Sequence, residues 1–364
     1  DVYKRQSANW TIPAYASMFT GKPTVAHNFW GYKLFPGQSA DLIFDHLVAR
    51  GIRPALICCG VLAEADIFQY RSGTYFALPY DMLKPDGAIN LLMKALRSND
   101  FVFFHTFLMH DYMHHRAYQS PRFGLKRKHI FLSEGDSETM GEKMKRWREE
   151  HFPLNYDDLR ILERMYYNEC LLVDDFVRVL FEVVLSEFPD TRIIVNSDHG
   201  ECFSHCGKRA FDGNWNLSQD PLWHHSTGFC YEQFEVFAID YRQGQEAKVS
   251  KALIDHEDIY RMILDHFGLS RWTPGSKHCN LISTSFDKVG FCGVLVNSDI
   301  YLYDRNRDFA FILADNLYTS GLIEPVPHLI DSCRMILRSH NVDLAAYSQA
   351  SEIVRERLRG WGYM

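Results

Sequence analysis

The chain has 364 residues, 46% hydrophobic and 14% aromatic, with a formal net charge of −7. That length and apolar content suit one large α/β domain with a small appended piece and a sizeable core. The acidic balance excludes a general nucleic-acid binder, and no run approaches the roughly 18 uncharged apolar residues of a membrane-spanning helix, so the chain holds no transmembrane segment.

In chain order, residues 1–6 (Asp1-Val2-Tyr3-Lys4-Arg5-Gln6) are set apart as non-native sequence and kept out of the fold. Pro13 opens and Gly21 closes a helix over about 13–20. A second helix is expected at about 39–50, a strand at 53–59 and a helix at 86–97. Residues 101–107 form a continuous apolar run, the pattern of a strand buried on both faces. Residues 120–155 are charged and patternless, an insertion or long loop with a helical piece at 138–149 and the solvated run Lys126-Arg127-Lys128-His129. A long amphipathic helix covers 157–187, with Asp174 and Asp175 on its polar face. Strands at 192–197 and 234–239 follow, separated by a loop rich in Gly, Asn, Ser and Asp, and a helix at 252–267 closes the main domain.

Beyond Pro274 the pattern changes to short strands at 291–297, 300–304 and 309–314, then helices at 325–339 and 342–359. The expected architecture is therefore α/β: a doubly wound, mostly parallel sheet flanked by helices over 7–274. A small C-terminal antiparallel β plus helix subdomain follows over 275–364.

Two segments carry chemistry. The apolar run Arg192-Ile193-Ile194-Val195 leads into Asn196-Ser197-Asp198-His199-Gly200-Glu201, which puts a carboxylate and an imidazole at the carboxyl edge of a strand. Open α/β sheets hold ligands there, and carboxylate plus imidazole suits a divalent metal. A polar turn with a capping Asp is the plainer reading of the same residues. In Trp10-Thr11-Ile12-Pro13-Ala14-Tyr15-Ala16-Ser17-Met18-Phe19-Thr20-Gly21, Thr11 lies at the helix's N-terminal edge. There it is either an N-cap or a hydroxyl placed where the dipole favours an anion. The nine cysteines form no spaced disulfide framework, and Cys202, His205 and Cys206 are a weak zinc clip without an evident fourth ligand.

Together the two segments resemble the sulfatase family of the alkaline phosphatase superfamily: Thr11-Ile12-Pro13…Thr20-Gly21 fits its nucleophile segment, and Ser197-Asp198-His199-Gly200-Glu201 its late metal-binding motif. Residues 41–51, 101–112, Tyr231-Glu232 with Val236-Phe237-Ala238-Ile239, and the tail 355–364 fall in the family's order. The resemblance implies an alkaline phosphatase-like fold and one or two divalent ions (Ca, Zn or Mn). Asp198, His199, Thr11 and His225 are then the ligands, Thr11 and His110 the catalytic residues, and His110, Tyr112 and His224 the substrate contacts. The substrate class is a small-molecule, lipid or glycan phosphate or sulfate ester.

Two departures decide the chemistry expected. Formylglycine sulfatases have Cys or Ser at the nucleophile position and Arg four places on; here those positions are Thr11 and Tyr15. Thr cannot be oxidised to the aldehyde, so no formylglycine is expected and Thr11 acts as a direct nucleophile. The family also has a first strand with an Asp ligand before the nucleophile, which the resemblance places upstream of this sequence; weak metal binding by the fragment follows as an expectation. A leader or membrane anchor would lie there too, so the compartment is left open. The reading is a sulfatase-like, metal-dependent hydrolase of phosphate or sulfate esters. The alternatives are a phosphoethanolamine- or phosphoglycerol-type transferase and a catalytically inactive binding module.

Overall fold

The computed structural model describes residues 2–5, 10–23, 27, 29, 41–59, 73–78, 85–110, 112, 156–201, 203, 235–271, 280–283, 291–296, 299–304 and 309–313. The expected helices at 138–149, 325–339 and 342–359 lie outside the described residues. The chain divides into two compact units. The first comprises Asp1–His46, Ala65–Tyr70 and Arg192–Ala350; the second comprises Leu47–Glu64, Arg71–Thr191 and Ser351–Met364.

The first unit carries strands β1 (Val2–Arg5), β5 (Ile193–Asn196), β6 (Glu235–Tyr241) and β7 (Ser250–Ile254) in one sheet, ordered β5-β6-β1-β7. β6 runs antiparallel to both β5 and β1, whereas β1 is parallel to β7. Ala238 of β6 pairs with Asn196 on one side and Val2 on the other. Within the segment set apart at the start of the chain, the backbone of Val2–Arg5 fills the gap between β6 and β7, as a β-branched and aromatic-led run can.

Helix α1 (Thr11–Thr20) is buried along all ten residues. Ile12, Ala14, Ala16, Met18 and Phe19 supply the apolar surface, and Gly21 ends the helix in the left-handed region at φ 63° with its N–H on the Ser17 carbonyl. A side chain at Gly21 would also meet the Tyr260 ring at 2.5 Å. Helix α2 (Ile43–Val48) is shorter than the 39–50 expected; Phe44 sets its ring edge against Phe19 at 5.0 Å.

Helix α5 (His256–His266) packs against α1. The expected helix at 252–267 starts late because Ser250–Ile254 is extended as β7 and Asp255 then caps the helix. Asp255 accepts from the Asp258 N–H at 2.9 Å, and Asp258 returns the bond to the Asp255 N–H at 3.1 Å. Arg192, with its side chain 4% exposed, grips Asp240 through two nitrogens at 2.7 and 2.8 Å and donates to the Met262 carbonyl at 2.8 Å. One guanidinium thus ties the entry of β5 to β6 and α5.

A separate antiparallel sheet contains β8 (Asn280–Ser283), β9 (Phe291–Val296), β10 (Asp299–Asp304) and β11 (Phe309–Leu313), in sequential order. The last three are the strands expected beyond Pro274; β8 is an addition.

In the second unit, β2 (Pro54–Cys59) lies between β3 (Thr74–Leu78) and β4 (Phe101–Phe104), parallel to both. Central position explains why Ala55, Leu56, Ile57 and Cys58 are buried. β4, expected to be covered on both faces, is only half-buried, since among the described strands it pairs with β2 alone. Helix α3 (Pro85–Leu96) packs against β4 and buries Ala88, Ile89, Leu92, Met93 and Ala95 at helical spacing. Helix α4 (Tyr156–Glu187) buries Leu162, Met165, Phe176 and Val184 while Asp174 and Asp175 face solvent, as its amphipathic pattern requires. The architecture is α/β, with parallel strand pairing, flanking helices and a distinct antiparallel sheet.

Candidate active site

The site is assembled in the first unit, where α1 begins and β5 ends. Thr11 is the first helical residue of α1; Trp10 occupies the N-cap position, extended at φ −159° and ψ 166°, and its side chain makes no capping bond. Pro13 has no N–H to offer, so the first turn carries fewer donors than usual. A hydroxyl at the first helical position therefore projects from the helix's positive end rather than closing it, and the capping role for Thr11 does not apply.

α1 buries three aliphatic hydroxyl groups, and each is satisfied differently. Thr20 donates locally to the Ala16 carbonyl at 2.6 Å. Ser17 meets His27 Nε2 at 3.0 Å. Thr11 Oγ1 lies 3.2 Å from His199 Nε2, joining residues 188 positions apart.

His199 reaches Thr11 because β5 stops at Asn196 and the chain turns through Ser197, Asp198, His199 and Gly200. Ser197 Oγ donates to the His199 carbonyl and tightens that turn. The Gly200 carbonyl, which can only accept, sits 2.8 Å from His199 Nδ1. The proton of a neutral ring is therefore on Nδ1, and Nε2 presents a lone pair. Asp198 Oδ2 is 3.5 Å from that same Nε2. A carboxylate oxygen, an imidazole lone pair and a hydroxyl oxygen thus converge, three electron-rich atoms that a cation would bring into register. Asp198 and His199 side chains are 18% and 10% exposed, sheltered yet open to a ligand. Among the described residues no group of three or more His, Cys, Asp or Glu side chains gathers, so the third donor in this cluster is the Thr11 hydroxyl.

Tyr15, where formylglycine sulfatases have Arg, is buried and stacks on Phe19 at 5.9 Å. His110 and Tyr112 belong to the second unit. His110 sets its ring against Phe107 at 5.0 Å and 85°, and Tyr112 is 1% exposed with its ring edge on Tyr166 at 5.5 Å. His105 is buried against Phe107, the core placement its position in an apolar run implies. His224, His225 and the cluster Cys202, His205 and Cys206 lie outside the described residues.

Two features near α1 escape motif-based reading. His27 is buried against the helix's inner side. The start of α5 buries Asp255, Glu257 and Asp258 together. Burial, reinforced by Asp255 and Asp258 and opposed by Arg261, pushes the Glu257 carboxyl well above the usual range. A polar residue inside an amphipathic pattern gives little sequence signal; only the Asp255–Asp258 spacing hints at a capping box.

By sequence, no family model and no curated protein matches the chain. By structure it is similar to a protein solved with its substrate D-glucosamine-2-N,6-O-disulfate, at 12% identity and TM-score 0.58, covering 96% of this chain and 91% of that one. It is similar to the phosphonate monoester hydrolase of Agrobacterium radiobacter, at 12% identity and TM-score 0.56, covering 96% and 88%. The phosphonate monoester hydrolase from Silicibacter pomeroyi gives 15% identity and TM-score 0.54 over 98% and 88%. A protein of the alkaline phosphatase superfamily from Vibrio parahaemolyticus gives 12% and 0.52 over 93% and 76%. Identities this low speak for the fold, and the fold of this chain is the sulfatase-like fold of the alkaline phosphatase superfamily.

Proposed function

We propose that the chain is a sulfatase-like, metal-dependent ester hydrolase in which Thr11 is the nucleophile and a phosphate ester the preferred substrate. The observation that carries this is the 3.2 Å approach of Thr11 Oγ1 to His199 Nε2, whose other nitrogen is committed to the Gly200 carbonyl. Asp198, His199 and Thr11 would hold a divalent ion, with His225 as a further ligand on the sequence pattern. A bound ion would supply Lewis-acid charge that eases deprotonation of a hydroxyl and stabilises a non-bridging ester oxygen.

The chain's own residues account for the rest. The N-terminus of α1, without a side-chain cap, favours an anionic ester beside Thr11. Thr11 Oγ1 attacks phosphorus; an oxygen–phosphorus bond forms as the bond to the leaving oxygen breaks, and the hydroxyl proton departs to solvent. Water then cleaves the Thr11–phosphorus bond, releasing phosphate from a monoester substrate or a phosphomonoester from a diester, and restores the hydroxyl. For His110, Tyr112 and His224 as leaving-group and substrate contacts, the support is the sequence resemblance. Fold neighbours named for phosphonate monoesters and for a sulfated glucosamine agree with a tetrahedral oxyanion as the recognised group. Thr11 in place of an oxidisable Cys or Ser moves the preference to phosphorus. The same intermediate could be resolved by an acceptor alcohol, which is the transferase form of this reading.

The test is acid-quenched intact-mass analysis during turnover of a p-nitrophenyl phosphodiester, together with calorimetric titration of Mn²⁺ or Zn²⁺. A phosphoryl adduct mapped to Thr11, and ion binding weakened at least about tenfold in Asp198→Asn and His199→Ala, is the expected result. An adduct elsewhere, or ion binding indifferent to both substitutions, contradicts it.

A further inference from the structure

We propose that His27 is a positioning residue for Thr11, a neutral strut that holds the first turn of α1 in the orientation that brings the Thr11 hydroxyl to His199. The inference deepens the proposed function and rests on it.

His27 is buried, and the environment of its ring leaves one protonation pattern. The Phe29 N–H donates to His27 Nδ1 at 3.0 Å, so Nδ1 bears the lone pair and Nε2 bears the proton. That Nε2–H points at α1, where it meets Ser17 Oγ at 3.0 Å and the backbone carbonyl of Pro13. Ser17 is fully buried, so no solvent competes for these bonds. Burial is also the main cause that lowers the imidazole to about 3, with the Lys22 charge acting in the same sense. The ring thus stays a neutral donor across the working range of an enzyme.

The target of the strut matters. Pro13 is two residues from Thr11 and contributes no N–H to the helix, so its carbonyl is one of the few handles by which the first turn can be held from outside. Pro13 and Ser17 stand one turn apart, and His27 spans both. Its own backbone N–H bonds to the Pro23 carbonyl at 3.1 Å, which fixes the ring's base just beyond Gly21. Tilting of the first turn would move Thr11 Oγ1 first. An error of about 1 Å at a reacting atom costs about 100-fold in rate.

Two substitutions separate positioning from bulk stability. His27→Gln can put an amide N–H where Nε2–H stands but loses the tie to Phe29. His27→Asn can accept from Phe29 but cannot reach Pro13 and Ser17. Each loses one side of the strut. The inference predicts that His27→Asn lowers kcat about 10- to 100-fold with KM within about threefold, while His27→Gln keeps kcat within about threefold. A second readout needs no turnover: the nitrogen chemical shift of His199 Nε2 in selectively labelled protein. It should move in His27→Asn, as the Thr11 bond is released, and stay in His27→Gln. If both variants fall together, tracking their melting temperatures, and both or neither shift His199, the inference is overturned. Wild-type protein without ester turnover, but with the shift pattern intact, would instead overturn the function and leave the strut standing.

Discussion

At the scale of single residues, the account turns on where two imidazole protons sit. Gly200 holds the proton of His199 on Nδ1 and turns Nε2 toward Thr11 and Asp198, whereas Phe29 forces the opposite tautomer on His27. Thr11→Ala should therefore abolish ester turnover by more than about 1,000-fold while leaving the melting temperature nearly unchanged, because the lost group is a hydroxyl at a helix end. Steady-state kinetics beside a thermal melt checks both halves.

His27 also makes a stability prediction. Its imidazole lies near 3 in the folded protein against 6.5 ordinarily, so the unfolded chain takes the proton first. The His27 contribution is intact above about pH 6.5 and declines as pH falls, by about 1.4 kcal/mol per pH unit, until the folded ring also protonates near pH 3. Urea unfolding of wild type and His27→Gln between about pH 7 and 4 should show wild type losing stability more steeply. Parallel slopes would contradict the assignment.

At the scale of elements, caps and termini decide the geometry. Gly21→Ala places a side chain both in the left-handed region and into the Tyr260 ring, so urea unfolding should show a loss of at least about 1 kcal/mol. Asp255→Ala breaks the reciprocal cap of α5, the helix against which α1 rests, and should cost about 1 to 2 kcal/mol by the same measurement.

The sequence made α1 legible through Pro13 and Gly21, and α4 through its long apolar stripe and flanking charges. β3 and β7 were harder. Thr74–Leu78 is too short for a period to declare itself, and Ser250–Ile254 runs directly into a helical pattern that masks it. Val2–Arg5 shows the reverse: a segment set aside as non-native sequence has its backbone accepted in a sheet gap. Asp198, His199 and Thr11 were recognisable because their motifs are local. His27 was not, since its meaning depends on Ser17, Pro13 and Phe29 meeting in space.

At the scale of the whole molecule, the fold is the sulfatase-like one, and the proposal that Thr11 is the nucleophile rests on the site and not on the fold. A fold of this class serves sulfur and phosphorus esters alike, so chemistry must be argued from the site. Among the described residues no helix is long and apolar enough to cross a membrane.

The central claim, that Thr11 attacks phosphorus with metal assistance, is tested most directly by parallel hydrolysis of p-nitrophenyl phosphate, a p-nitrophenyl phosphodiester and p-nitrophenyl sulfate, with chelator and Thr11→Ala controls. The account predicts turnover of a phosphate ester that chelator suppresses and Thr11→Ala abolishes. Turnover of sulfate alone, or phosphate ester turnover that survives Thr11→Ala, would contradict it.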